Sequence, residues 1–80
     1  MTAAPLTLHR AVVQPGWVDY NNHLNDGYYT VIFSDATTAL MAHIGLGPEQ
    51  RAATHHTIFT LEMHTNYLLE VKGGVEVRVE

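Results

Sequence analysis

The sequence predicts an α+β fold in which a curved antiparallel sheet wraps one central helix. Three observations predict it. Residues 27–44 carry apolar side chains at helical spacing over a wide arc. Residues 57–71 alternate apolar and polar side chains with period two. Residues 6–13 and 75–79 read as further strands, and no helical pattern separates residue 57 from residue 79.

The first strand spans residues 6–13, with Leu6, Leu8 and Val12 on one face and Arg10 interrupting it. "QPG" at 14–16 ends it, because proline lacks a donor and glycine frees the backbone. In the helix, Tyr28, Ile32, Ala36, Ala39 and His43 follow one stripe. Tyr29, Phe33, Leu40 and Ile44 lie beside it, so several sides of the helix are expected to be covered. Asn25 or Asp26 suits the N-cap, and Asp26 also suits the positive end of the helix dipole. Gly45, in "GLGP", suits a left-handed C-terminal cap. Asp35 and Thr37 are expected to face water or a cleft. Residues 48–56 form a connector with one helical turn at "PEQRAA". The long strand at 57–71 places Phe59, Leu61, Met63, Tyr67 and Leu69 on its apolar face. Thr60, Glu62, His64 and Asn66 form the other face. "KGG" at 72–74 reads as a hairpin turn, and Val75, Val77 and Val79 begin the next strand.

Eighty residues make one small domain. A chain of this size buries only about 60% of its unfolded surface and needs further burial for stability. There is no cysteine, hence no disulfide and no thiolate metal site. The strand-like alternation still runs at Glu80, so the expectation is the front part of a longer domain, helped by a partner subunit or by further strands. Net charge is −4, and the four permanent cations, Arg10, Arg51, Lys72 and Arg78, are scattered. That pattern offers no footprint for nucleic acid. The start lacks the charged-then-apolar pattern of a signal peptide, and no window reaches the length of a membrane span. A cytoplasmic protein is the expectation.

"VDYNNHLND" at 18–26 packs Asp19, Asn21, Asn22, His23, Asn25 and Asp26 between two apolar segments. A capping turn accounts for Asn21, Asn22 and Asn25 or Asp26. It does not account for Asp19 or His23. A carboxylate beside a helix N-terminus suggests chemistry. Free backbone N–H groups near Asp26 and Gly27 could polarise a carbonyl, while Asp19 attacks an acyl carbon or activates water. A thioester suits that pairing, because its thiolate leaves readily.

"VDYNNHLNDGYYTVIFSDAT" resembles the D-x-x-G-H-x-N…Y…F segment of hotdog-fold acyl-CoA thioesterases of the 4-hydroxybenzoyl-CoA thioesterase type. "TIFTLEMHTNYLLEVKGG" resembles the second strand and turn of the same domain, so the likeness covers residues 13–74. Within the family the chain looks most like the betainyl-CoA thioesterases of carnitine breakdown. The resemblance implies a sheet wrapped around a central helix, an acyl-CoA substrate, no separate cofactor, and a homodimer or tetramer of dimers with sites at the subunit interface. It implies that Asp19 is nucleophile or general base. His23 and Asn25 match the motif histidine and asparagine. The N–H groups near Asp26 and Gly27 match the helix start that polarises the thioester, and Tyr29 matches a tyrosine of the first helical turn. The motif glycine is replaced by Asn22, and asparagine is the next-best residue for positive φ. His23 is expected to serve structure, as one carboxylate and a helix terminus suffice for the chemistry.

A trimethylammonium acyl group would want aromatic faces and a counter-charge. Trp17, Tyr20, Tyr28 and Tyr67 are candidates for the faces and Glu62 for the charge, though most of these aromatics also suit packing. Glu62, His64, His55 and His56 lack three ligands at firm metal spacing, so no metal is expected. Two rivals to a thioesterase stand. One is a non-catalytic hotdog binding module or inactive fragment. The other is a dehydratase of the same fold, which would yield an enoyl-CoA instead of a free thiol.

Overall fold

The computed structural model describes residues 5–80. Its elements run β1 (His9–Val12), a 3₁₀ turn (Pro15–Trp17), α1 (Asp26–His43), α2 (Pro48–Thr54) and β2 (Glu76–Val79). β1 and β2 pair antiparallel, with His9 opposite Val79 and Val12 opposite Glu76. Leu8 N–H donates to Val79 O at 2.8 Å and Val13 N–H to Val75 O at 2.9 Å, extending the ladder at both ends.

The register decides which face of β1 turns inward, and it is the opposite of the expected one. Ala11 and Val13 share a face with Val77 and Val79. Val13 is 1% exposed and packs with Leu24 and Ile32, with Val77 and Val79 against them. Leu6 and Val12 lie on the wet face, about half exposed. Arg10 is there too, paired with Glu76 at 3.0 Å. The arginine that seemed to interrupt an apolar face marks the solvent face instead, because a charge is far costlier to bury than a valine is to expose.

α1 starts one residue before its expected position and carries the core on part of the expected arc: Met41 is buried in addition, while His43 and Ile44 at its end are exposed. Ile32, Ala36 and Met41 are buried, and Tyr28, Tyr29, Phe33 and Leu40 are half-buried. Asp35 is exposed. At the C-terminus, Gly45 takes φ +86°, and Leu46 N–H returns to Met41 O at 2.7 Å, the glycine cap expected there. The connector is more helical than expected: α2 makes about two turns, started by Pro48 at its first position and stopped by His55 at φ 57°.

The long strand expected at 57–71 forms no ladder. The segment bends at Leu61 and Leu69, and Phe59, Leu61, Leu68 and Leu69 are 75–86% exposed. The turn at 72–74 exists, but it is not a hairpin between neighbours. The chain leaves it to pair β2 with β1, so residues 57–71 have no strand beside them among the described residues. Strand-like alternation supplies a face, whereas a strand requires an edge to bond to. The segment is anchored at its end, where Leu24 N–H donates to Val71 O at 2.6 Å and His23 bridges to Lys72.

Burial is sparse, since among the described residues Val13, Leu24, Ile32, Ala36 and Met41 are the buried apolar ones. Each therefore matters. Val13→Ala is expected to lower unfolding free energy by about 2 kcal/mol, read from the shift of the urea midpoint at unchanged slope.

Candidate active site

The polar stretch folds as a tight loop between two antiparallel contacts. Val18 bridges to Leu24, and Asp19 N–H donates to His23 O at 2.9 Å. Asn22 N–H then donates to Asp19 O at 3.0 Å. This closure forces Asn22 to φ 59°, the left-handed region that asparagine tolerates best after glycine. The substitution of the motif glycine is thus accommodated.

The Asp19 side chain closes the same loop. Its Oδ1 accepts the N–H of Asn21 at 2.8 Å and of His23 at 3.2 Å. Oδ2 makes no hydrogen bond among the described residues. One carboxylate oxygen is structural and the other is open. The loop is backed by the turn after residue 71. Gly73 N–H donates to Asn22 O at 3.3 Å, and a Cβ on Gly73 would meet Asn22 Oδ1 at 2.8 Å. Only glycine fits there without a shift.

The chain then enters α1. Asn25 is the N-cap: its Oδ1 accepts from Gly27 N–H at 3.0 Å. Asp26 Oδ1 accepts from the same N–H at 2.9 Å. The Gly27 donor expected to polarise a carbonyl is therefore already occupied. The Asp26 N–H makes no such bond among the described residues. It is the open donor of the helix start. Asn25 N–H donates to Trp17 O at 2.9 Å, which ties the helix start to the strand side of the loop.

His23 is held from both ends. Its N–H reaches Asp19, and its Nε2 lies 2.8 Å from Glu70 Oε2, with Lys72 Nζ 3.7 Å from Glu70 Oε1. The sequence reading missed Glu70. It sits 47 positions from His23 and looks like one more polar residue of an alternating strand. A shallow groove of about 260 Å³ opens beside the helix start, lined in part by His23, Asp26, Tyr29, Tyr67 and Glu70. Tyr29 and Tyr67 pack edge to face with ring centroids 4.9 Å apart. Burial, together with Tyr67 alongside, raises the Tyr29 hydroxyl above its usual pKa.

The other expected substrate contacts disperse. Trp17 and Tyr28 stack on each other at 5.8 Å against the core. Tyr20 is 96% exposed at the loop tip. Glu62 lines a separate groove with Thr37, Thr60 and His64. These four do not converge: the stacked pair is drawn into packing, and Glu62 lies on a stretch that passes the middle of α1. Among the described residues no cluster of three or more metal-ligating side chains forms, and no helix is long and apolar enough to cross a membrane.

Comparison with known proteins places the chain. The family model of the thioesterase-like superfamily matches residues 13–80. The betainyl-CoA thioesterase of Pseudomonas aeruginosa is 55% identical over 92% of this chain and 46% of its own length. The L-carnitine dehydrogenase/betainyl-CoA thioesterase of Agrobacterium fabrum is 49% identical over 95% of this chain and 16% of its own. A crystal structure of a candidate thioesterase from Pseudomonas putida superposes with TM-score 0.80 at 49% identity, covering 96% of this chain and 50% of that one. A Staphylococcus aureus protein in complex with CoA superposes with TM-score 0.78 at 35% identity, over 94% and 49%. The chain thus spans about half or less of the length of the relatives it matches. It shares their hotdog architecture over that span, and it belongs to the thioesterase-like superfamily.

Proposed function

We propose that this protein hydrolyses a small acyl-CoA thioester to a free acid and coenzyme A, with betainyl-CoA as its substrate. The observation that carries the proposal is the Asp19 carboxylate, fixed through Oδ1 and open at Oδ2, in a loop that delivers the chain to a helix start. Betainyl-CoA is supported by two relatives that bear that activity in their names, and CoA binding by the relative solved with CoA.

The geometry supports two routes. In one, Oδ2 takes a proton from water as the water oxygen bonds to the acyl carbon. In the other, Oδ2 bonds to the acyl carbon itself, and water then cleaves the resulting anhydride. Either way the C–S bond breaks, the sulfur leaves as thiolate, and a proton from water completes the thiol. The Asp26 N–H is the donor that faces the developing oxyanion. Asn25 and Gly27 hold the helix start in shape, and His23 holds Asp19. Homo-oligomeric assembly is supported by the exposed Phe59, Leu61, Leu68 and Leu69, and a CoA substrate fits a cytoplasmic setting.

A non-catalytic binding module is favoured by one observation, the occupied Gly27 N–H. Thiol release separates the two readings. Asp19→Asn keeps an oxygen for the two loop N–H groups and removes the base. Its turnover of betainyl-CoA is expected to fall about 10²–10⁴-fold with little change in melting temperature. Asp19→Ala should lose both activity and loop stability. A folded wild type that releases no thiol from any short acyl-CoA would leave the binding module standing.

The loop itself offers a second check. Asn22→Gly, which restores the family glycine, should change stability by less than about 1 kcal/mol, whereas Asn22→Val should cost about 1–2 kcal/mol at positive φ. Chemical denaturation reads both.

A further inference from the structure

Three features meet in the groove beside the helix start. The first is an aromatic wall: Tyr29 and Tyr67 pack edge to face, and Tyr67 remains 57% exposed. The second is charge. Asp26 and Glu70 both line the groove; Glu70 shares its charge with His23 and Lys72, while Asp26 has no ion-pair partner among the described residues. The third is position. Asp26 and Tyr29 lie three residues apart on α1, so their side chains are neighbours on one helix face. His23 joins this groove to the Asp19 loop, since its N–H binds Asp19 and its side chain lines the groove.

We propose that this groove is the subsite for the acyl group, and that Tyr29, Tyr67, Asp26 and Glu70 select a quaternary ammonium there. It rests on the thioesterase reading above and replaces the dispersed set of Trp17, Tyr20, Tyr28 and Glu62. In a betainyl thioester a single methylene separates the carbonyl carbon from the ammonium nitrogen. A carbonyl at the Asp26 N–H therefore carries its cation into the adjoining groove, against the tyrosine rings. A ring face attracts a cation within about 6 Å of its centroid, and does so irrespective of hydrogen bonding, which a trimethylammonium group cannot offer. The unpaired Asp26 carboxylate adds the counter-charge. Trp17 and Tyr28 stack on each other, pack against the core and do not line this groove.

The decisive comparison uses betainyl-CoA and 3,3-dimethylbutanoyl-CoA, which differ only by carbon in place of the charged nitrogen. The readout is the ratio of their kcat/KM values. Wild type is expected to favour the cation, Tyr67→Leu to lower the ratio about tenfold, and Tyr67→Phe, which keeps the ring, to hold it. A wild-type preference that Tyr67→Leu and Glu70→Gln both leave intact overturns the subsite while the thioesterase reading stands. Tetramethylammonium titration, followed through the tyrosine ring proton NMR signals, tests the groove without turnover. Shifts at Tyr29 and Tyr67 in the wild type, with the Tyr29 shift lost in Tyr67→Leu, support it even in a protein that releases no thiol. Unmoved signals at saturating cation overturn it.

Discussion

The Asp19 carboxylate closes its own loop, and the rest of the site depends on that closure. Through Oδ1 it gathers the N–H groups of Asn21 and His23, which would otherwise point outward without partners in a reversing chain. The reversal sets Val18 against Leu24, Leu24 enters the core with Val13 and Ile32, and Asn25 arrives where it can cap α1. A carboxylate with one oxygen bonded by backbone donors is restrained in rotation, so the second oxygen has a defined direction. Preorganisation of this kind reduces what a reacting group must rearrange. The structural role of Asp19 leaves its second oxygen open, so the capping explanation of the loop does not compete with the proposed catalytic one.

The loop is also clamped from a distant part of the chain. Gly73 sits against Asn22 and Val18, Leu24 N–H bonds Val71 O, and Glu70 holds the His23 ring. Residues 70–73 thus act as one backing strip for residues 18–24. This contact explains why residues 57–71, unpaired over most of their length, still end in a fixed place. It also puts two residues of that segment, Tyr67 and Glu70, beside the helix start. The remainder of the segment exposes large apolar side chains, and burying them requires surface that residues 5–80 do not provide.

What the sequence made legible was local. The helix, a cap at Asn25 or Asp26 and a glycine stop follow from short-range chemistry, and the structure has them within a residue of expectation, with Asn25 as the cap; the positive φ at Asn22 was implied by the glycine of the family motif. What it hid was pairing. Valines at 75, 77 and 79 announce a strand but not its neighbour, and the strand crosses to β1 instead of returning on residues 57–71. The inverted face of β1 has the same origin, as register with β2 decides it and register is a long-range property. In the site, Asp19 and His23 stood out because a capping turn did not account for them; the structure corrects this for Asp19, whose Oδ1 closes the loop as an Asx turn does. Glu70 gave no signal, because its meaning lies in a contact with His23 that no periodicity encodes. Tyr20 looked like a binding aromatic and is a loop tip, for composition does not report which way a turn points.

The occupied Gly27 donor bears most directly on mechanism. Two oxygens, from Asn25 and Asp26, converge on one N–H, which leaves the preceding Asp26 N–H as the open donor. The Asp26 carboxylate is close to that donor by covalent connection, and its negative charge would oppose an oxyanion forming there. A neutral acyl group has nothing to offset this repulsion. A cationic acyl group would: an ammonium one methylene from the carbonyl is near enough to attract both the carboxylate and the developing charge. On the proposed reading, the feature that would weaken the site toward ordinary thioesters would strengthen it toward a betaine thioester. On the same reading, Asp26 would serve as a selectivity element at the mouth of the helix, disfavouring wrong substrates as well as attracting the right one.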